Sequence, residues 1–149
     1  MRRARGAFLS GFLLLAACAG LDRAEAASPS CTPSLTASAD GSFAQAGWNS
    51  TPARLSRLAA LTRDRFAAAA RRLCAAGVLK PTDVARFRRL VVQNGEGATE
   101  PLVYQDPPMG PSVFIFQFAF QDGGPPEPAA FEQALRCWKY PKRAGCGED

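Results

Sequence analysis

The stretch SVFIFQFAF, residues 112 to 120, constrains the fold more than any other part of the chain. Phenylalanine occupies every second position, at Phe114, Phe116, Phe118 and Phe120. Successive side chains of a β-strand point to opposite faces, so the four rings line one side and Val113, Ile115, Gln117 and Ala119 line the other. Each ring taken out of water contributes on the order of 2 to 3 kcal/mol, and a small domain with few other large residues has to place such rings in its core. The opposite face is apolar as well, Gln117 excepted. A strand apolar on both sides is either covered twice or left with a surface that needs a partner. Val113, Ile115, Gln117 and Ala119, with Leu102 or Tyr104 on a neighbouring strand, are therefore the candidate surface for a protein partner or a homodimer.

The start of the chain does not read as part of that domain. Met1-Arg2-Arg3-Ala4-Arg5 is basic and leads into the apolar run AFLSGFLLLAA, residues 7 to 17, which is the pattern of an export signal. The run is well short of the roughly 20 residues that cross a bilayer as a helix. Two cleavage patterns overlap after it. Leu15-Ala16-Ala17-Cys18 resembles the lipobox of bacterial lipoproteins, which implies a signal over residues 1–17 and lipidation of Cys18. Ala24-Glu25-Ala26 is a small-x-small site that would instead remove residues 1–26. The lipobox fits slightly better, because Cys18 closes the apolar run and an Ala/Ser/Pro-rich stretch follows. Residues 18–50 then read as a flexible tether and residues 51–149 as one α+β domain of about a hundred residues.

Of the five cysteines, Cys31, Cys74, Cys137 and Cys146 survive either cut. Four cysteines in an exported domain read as two disulfides. Cys137 and Cys146 bracket a loop with Pro141 and Gly145 and form a local pair, which leaves Cys31 for Cys74. The chain has no histidine and no CxxC pair, so no metal site is expected.

The segment from Pro52 to Gly77 repeats apolar residues at three- and four-residue steps, Leu55, Leu58, Ala59, Thr62, Phe66, Ala69 and Leu73, with arginines opposite. It predicts an amphipathic helix capped by Thr51 or Ser50 and ended by Gly77. TDVARFRRLVV, residues 82 to 92, continues the pattern through Val84, Phe87, Leu90 and Val91, predicting a second helix and an antiparallel helical hairpin. PLVYQ, residues 101 to 105, and SVFIFQFAF predict a small antiparallel sheet joined through DPPMGP. A last helix opens at Pro126 or Pro128 and presents Phe131, Ala134, Leu135 and Trp138 on one face. A third strand in residues 40 to 48 would account for Phe43 and Trp48.

Charge is divided along the chain. Ten basic residues fall between Arg54 and Arg89, against Asp64 and Asp83, whereas Leu90 to Leu135 holds acidic residues and no Lys or Arg. Arg54, Arg57, Arg71 and Arg72 are the candidates for an anionic envelope component such as lipid headgroups. The simpler reading is that they are solvated or paired with the acidic half of the fold. Nucleic acid is not expected, since no aromatic residues interleave with the arginines.

Without histidine, Ser-His-Asp, Cys-His and HExxH chemistry are impossible. No P-loop, GxSxG, SxxK or GxGxxG occurs, and nothing calls for a cofactor. A carboxylate pair of the glycosidase kind, Glu96 with Glu100 or Asp106, is the one enzymatic arrangement left. VVQNG, residues 91 to 95, resembles in outline the QxVxG loop of cystatin-type inhibitors without matching its residues. The expectation is a non-catalytic envelope protein, periplasmic or lipid-anchored, that binds a protein partner or an anionic envelope component. The alternatives are a secreted carboxylate-dependent hydrolase and a small secreted inhibitor.

Overall fold

The computed structural model describes residues 30–45, 51–98, 100–119 and 124–146. The residues read as an export signal, Cys18, Trp48, Ser50 and Phe120 lie outside the described residues. The chain runs β1 (Thr36–Ala39), α1 (Ser42–Gln45), α2 (Pro52–Ala75), α3 (Pro81–Val84), β2 (Arg89–Asn94), β3 (Leu102–Gln105), a 3-10 turn (Pro107–Met109), β4 (Val113–Phe118) and α4 (Pro128–Lys139). The strands form one sheet in the order β1-β2-β4-β3. This is a mixed helix and sheet fold stapled by two disulfides, Cys31–Cys74 and Cys137–Cys146.

Three expectations need correction. The second helix stops after one turn at Val84, and the rest of its segment is β2. The three-residue steps of Val84, Phe87 and Leu90 fitted a helix, but Leu90-Val91-Val92 is a continuous apolar run with two β-branched residues, which suits a strand buried on both faces. Residues 52–92 consequently form no helical hairpin. The sheet is mixed rather than antiparallel: β3 runs antiparallel to β4, while β1 with β2 and β2 with β4 are parallel. Parallel neighbours need a long crossover, and α2 provides the one between β1 and β2.

The tether also begins to fold earlier than residue 51. Residues 36–39 make an edge strand, and Phe43, on α1, is fully buried. The strand expected in residues 40 to 48 is not found among their described residues: Ser42–Gln45 is helical and carries Phe43, and the additional strand is β1, which precedes it. The register of β1 is held by backbone pairing to β2, and Asp40 accepts a short hydrogen bond from the Ser42 hydroxyl and another from its amide at 3.0 Å. The Ser42 hydroxyl in turn accepts from the Asn94 amide at 2.8 Å, which ties the ends of β1 and β2 together.

α2 follows its sequence pattern closely. Thr51 accepts from the Arg54 amide at its start, and Leu58, Ala59, Thr62, Phe66, Ala69 and Leu73 are buried. At its end Gly77 takes a positive φ of 72°, with Val78 donating to the Leu73 carbonyl at 2.9 Å and Gly77 to that of Cys74 at 3.0 Å. This paired closure requires a left-handed residue, which glycine adopts without a Cβ clash.

α2 and α4 cover the same face of the sheet, the face to which Phe114, Phe116 and Phe118 point. Phe116 stacks on Phe131 of α4 at 4.4 Å between centroids, and Phe87 meets Phe114 edge to face at 4.7 Å. The phenylalanine row fills the core, as its spacing implies. Trp138 closes the far end against Phe87 and Phe114.

Candidate functional site

No described helix lies on the second face of the sheet. Pairing register sets Ser38, Val91, Ile115 and Tyr104 in one row across all four strands, with Gln93, Gln117 and Leu102 in the next. Val91, Val113 and Ile115 form a separate small apolar cluster there. Val113 and Ile115 are only 8% and 2% exposed, and Gln117 and Ala119 are half-buried. The residues expected to meet a partner are therefore largely sealed within the chain itself. Part of the seal is visible. The Tyr104 hydroxyl donates to Gln93 Oε1 at 3.0 Å, and because β4 lies between β3 and β2, the phenol has to pass over β4 to make that bond.

What remains open to solvent is β3 itself. Leu102 is 51% exposed and Tyr104 37%. The sequence offered Leu102 or Tyr104 as part of the candidate surface, and the structure places both on the edge strand β3. β3 is the last strand on its side, with no further strand beyond it among the described residues. A cleft of about 300 Å³ follows it. One wall is Pro101 to Gln105, and the other is Ala134, Cys137 and Trp138 of α4 with Pro141 and Cys146 of the loop that follows. The Cys137–Cys146 disulfide bends that loop back along α4, where Gln133 donates to the Gly145 carbonyl at 3.0 Å. The sequence did not show this cleft, because it depends on the short C-terminal loop turning toward an edge strand. One signal was present: prolines near both ends of β3, Pro101 immediately before it and Pro107 two residues after it, which is the way an edge strand is commonly kept short.

Electrostatics tie this edge to its surroundings. Burial pushes the Tyr104 phenol above its ordinary value, and the charges of Asp106 and Asp40 push it the same way. At the base of α4, Lys139 pairs with Asp83 at 2.8 Å, and the Asp83 carboxylate also accepts from the Lys80 amide at 2.8 Å. Burial alone would raise the Asp83 carboxyl, but the hydrogen bonds from Lys139 and the Lys80 amide and the charges of Lys139 and Arg86 outweigh it and hold it below its ordinary value. Arg86 also donates to Gln105 at 2.8 Å and lies over the Trp138 ring.

The arginine candidates divide. Arg72 pairs with Glu132 of α4 at 2.6 Å and so braces two helices, while Arg57 and Arg71 are exposed with no ion pair among the described residues. Arg54 is exposed at the first turn of α2. Glu96 and Glu100 are exposed and Asp106 half-buried, all in the loops flanking β3. VVQNG does not form a free loop, since Val91 and Val92 are buried within β2. Among the described residues no group of three or more His, Cys, Asp and Glu side chains could hold a metal ion, and no helix is long and apolar enough to cross a membrane. No protein-family model matches the chain, and neither a curated protein nor a solved structure shows significant similarity to it.

Proposed function

We propose that this is a non-catalytic bacterial envelope protein that binds a protein partner through the β3 edge. In this reading the chain is exported by its N-terminal signal. It is then either anchored by lipid at Cys18 or released after Ala26 as a soluble periplasmic domain. One observation carries the binding reading: the large apolar side chains Leu102 and Tyr104 are left in solvent on an edge strand that borders a cleft. Edge strands are normally blunted because their free hydrogen-bonding groups recruit other chains. An exposed leucine on one is accordingly a contact waiting to be made. The two disulfides support the compartment, since they form and persist in oxidising surroundings.

The test is a photo-crosslinking residue placed at position 102 in intact cells, with the same residue at Ser56, exposed on α2, as the control. A discrete adduct from position 102 alone supports the reading; equal labelling from both positions, or none, removes it. The intact non-reduced mass of the recovered protein separates the two N-termini.

A further inference from the structure

This inference rests on the binding reading above and names the partner's chemistry. The cleft touches Leu102 and Tyr104, which face the bare side of the sheet, and equally Val103 and Gln105, which face the helices. Consecutive residues of opposite facing can line one cleft only where it runs along the strand's hydrogen-bonding edge. Alternate N–H and C=O groups of β3 point outward along that edge. We propose that the cleft takes an extended polypeptide segment, which adds to β3 as a fifth strand and packs alternate side chains against Trp138 and Pro141.

Backbone pairing and charge select this occupant. An added strand sits about 4.8 Å from its neighbour, whereas a helix with its side chains is about 10 Å across. Only the former pairs with the outward N–H and C=O groups of β3. A second copy is disfavoured by charge. Antiparallel pairing of β3 with itself about Val103 sets Glu100 against Asp106 of the copy, and like charges placed opposite each other destabilise a sheet. The loop forming the outer wall carries Lys142 and Arg143, both exposed and without an ion pair among the described residues. The segment that fits is therefore extended, apolar at alternate positions and acidic where it passes this loop.

The experiment titrates the whole mature domain with a blocked peptide of alternating Glu and Val long enough to span β3. The comparison probes are its Lys/Val counterpart and the Glu/Val peptide N-methylated at every second residue in each of the two registers. Calorimetry gives affinity, and amide shifts give the site. Binding of the Glu/Val peptide should move the amides of residues 101 to 105 and the Trp138 indole. One N-methylated register should bind at least tenfold more weakly, and Lys142→Glu with Arg143→Glu should lose at least tenfold with an unchanged circular dichroism spectrum. Equal binding of both N-methylated registers overturns strand addition. So does a preference for the Lys/Val peptide, the absence of binding, or a concentration-dependent dimer that shifts the same amides. Any of these with the position-102 adduct intact leaves the binding reading standing; loss of the adduct removes both.

Discussion

The two faces of β4 are sealed in different ways. On one face Phe114, Phe116 and Phe118 lie under α2 and α4 in a continuous aromatic core. On the other, Val113 and Ile115 join Val91 in a small cluster, over which Tyr104 is strapped to Gln93. Helices bring a large buried area, and so their removal is costly. The hydrogen-bonded phenol over the small cluster brings much less area. The covered face should therefore carry the stability of the domain, and the bare face and its edge should be where changes leave the fold intact.

The largest expected effect is on the covered face. Phe116→Ala removes a fully buried ring stacked on Phe131 and should cost about 5 kcal/mol, the upper end for such a truncation. Chemical denaturation measures it. Its neighbour on the other face, Ile115→Ala, should cost about 2 kcal/mol, the lower end for such a truncation, because its cluster with Val91 and Val113 is small. Equal losses at the two positions would make the bare face a second core.

The disulfides repeat the contrast. Cys31–Cys74 joins residues 43 apart and holds the lead-in to β1 against α2, whereas Cys137–Cys146 joins residues 9 apart at the cleft wall. On loop entropy, replacing the first pair by serine costs about 4 kcal/mol and replacing the second about 2.5 kcal/mol. Thermal unfolding of the two double variants checks the order. Reversal would mean that the C-terminal loop belongs to the core.

Acid tests the join between α3 and α4. Asp83 is held below its ordinary value of 3.8, so its contribution is present above that value and is lost as pH falls through the lower folded one. Asp83→Asn should cost roughly 1 to 2 kcal/mol near neutrality, and the gap to the parent protein should close as pH falls below 3.8 and through the lower folded value. A gap independent of pH would assign the loss to packing.

How much of this was legible in the chain follows from the range of the interactions involved. α2, α4 and the phenylalanine row were read correctly because each is a local period that burial then obeys. The helix assigned to residues 82–92 was misread because Val84, Phe87 and Leu90 satisfy a helical step, and only parallel pairing with β1 and β4 makes the segment a strand. β1 was hidden in a polar, alanine-rich stretch, TASA, whose strand character comes from its neighbour and not from itself. Val113, Ile115, Gln117 and Ala119, read as a candidate partner surface from their alternation, proved buried or half-buried, and the exposed large side chains nearby are Leu102 and Tyr104. The cleft beside them depends on a contact between β3 and the loop after α4, more than thirty residues further along, which no local pattern encodes.

The smallest effect, and the sharpest probe of the bare face, is Tyr104→Phe. It deletes one hydrogen bond to Gln93 at a partly exposed site and should cost about 0.5 to 1 kcal/mol. Alkali separates the role of the hydroxyl from that of the ring. Burial, with Asp106 and Asp40, raises the phenol above 10.0, so the folded state favours the proton. That contribution is complete below pH 10.0 and is lost as pH rises through the higher folded value. The parent protein should therefore lose more stability than Tyr104→Phe over that window, with the phenolate absorbance that Tyr104→Phe removes appearing above pH 10.0. If the two proteins follow the same alkaline limb, the phenol does not roof β4. Ile115 and Val91, 2% and 6% exposed, would then be covered by groups other than this phenol.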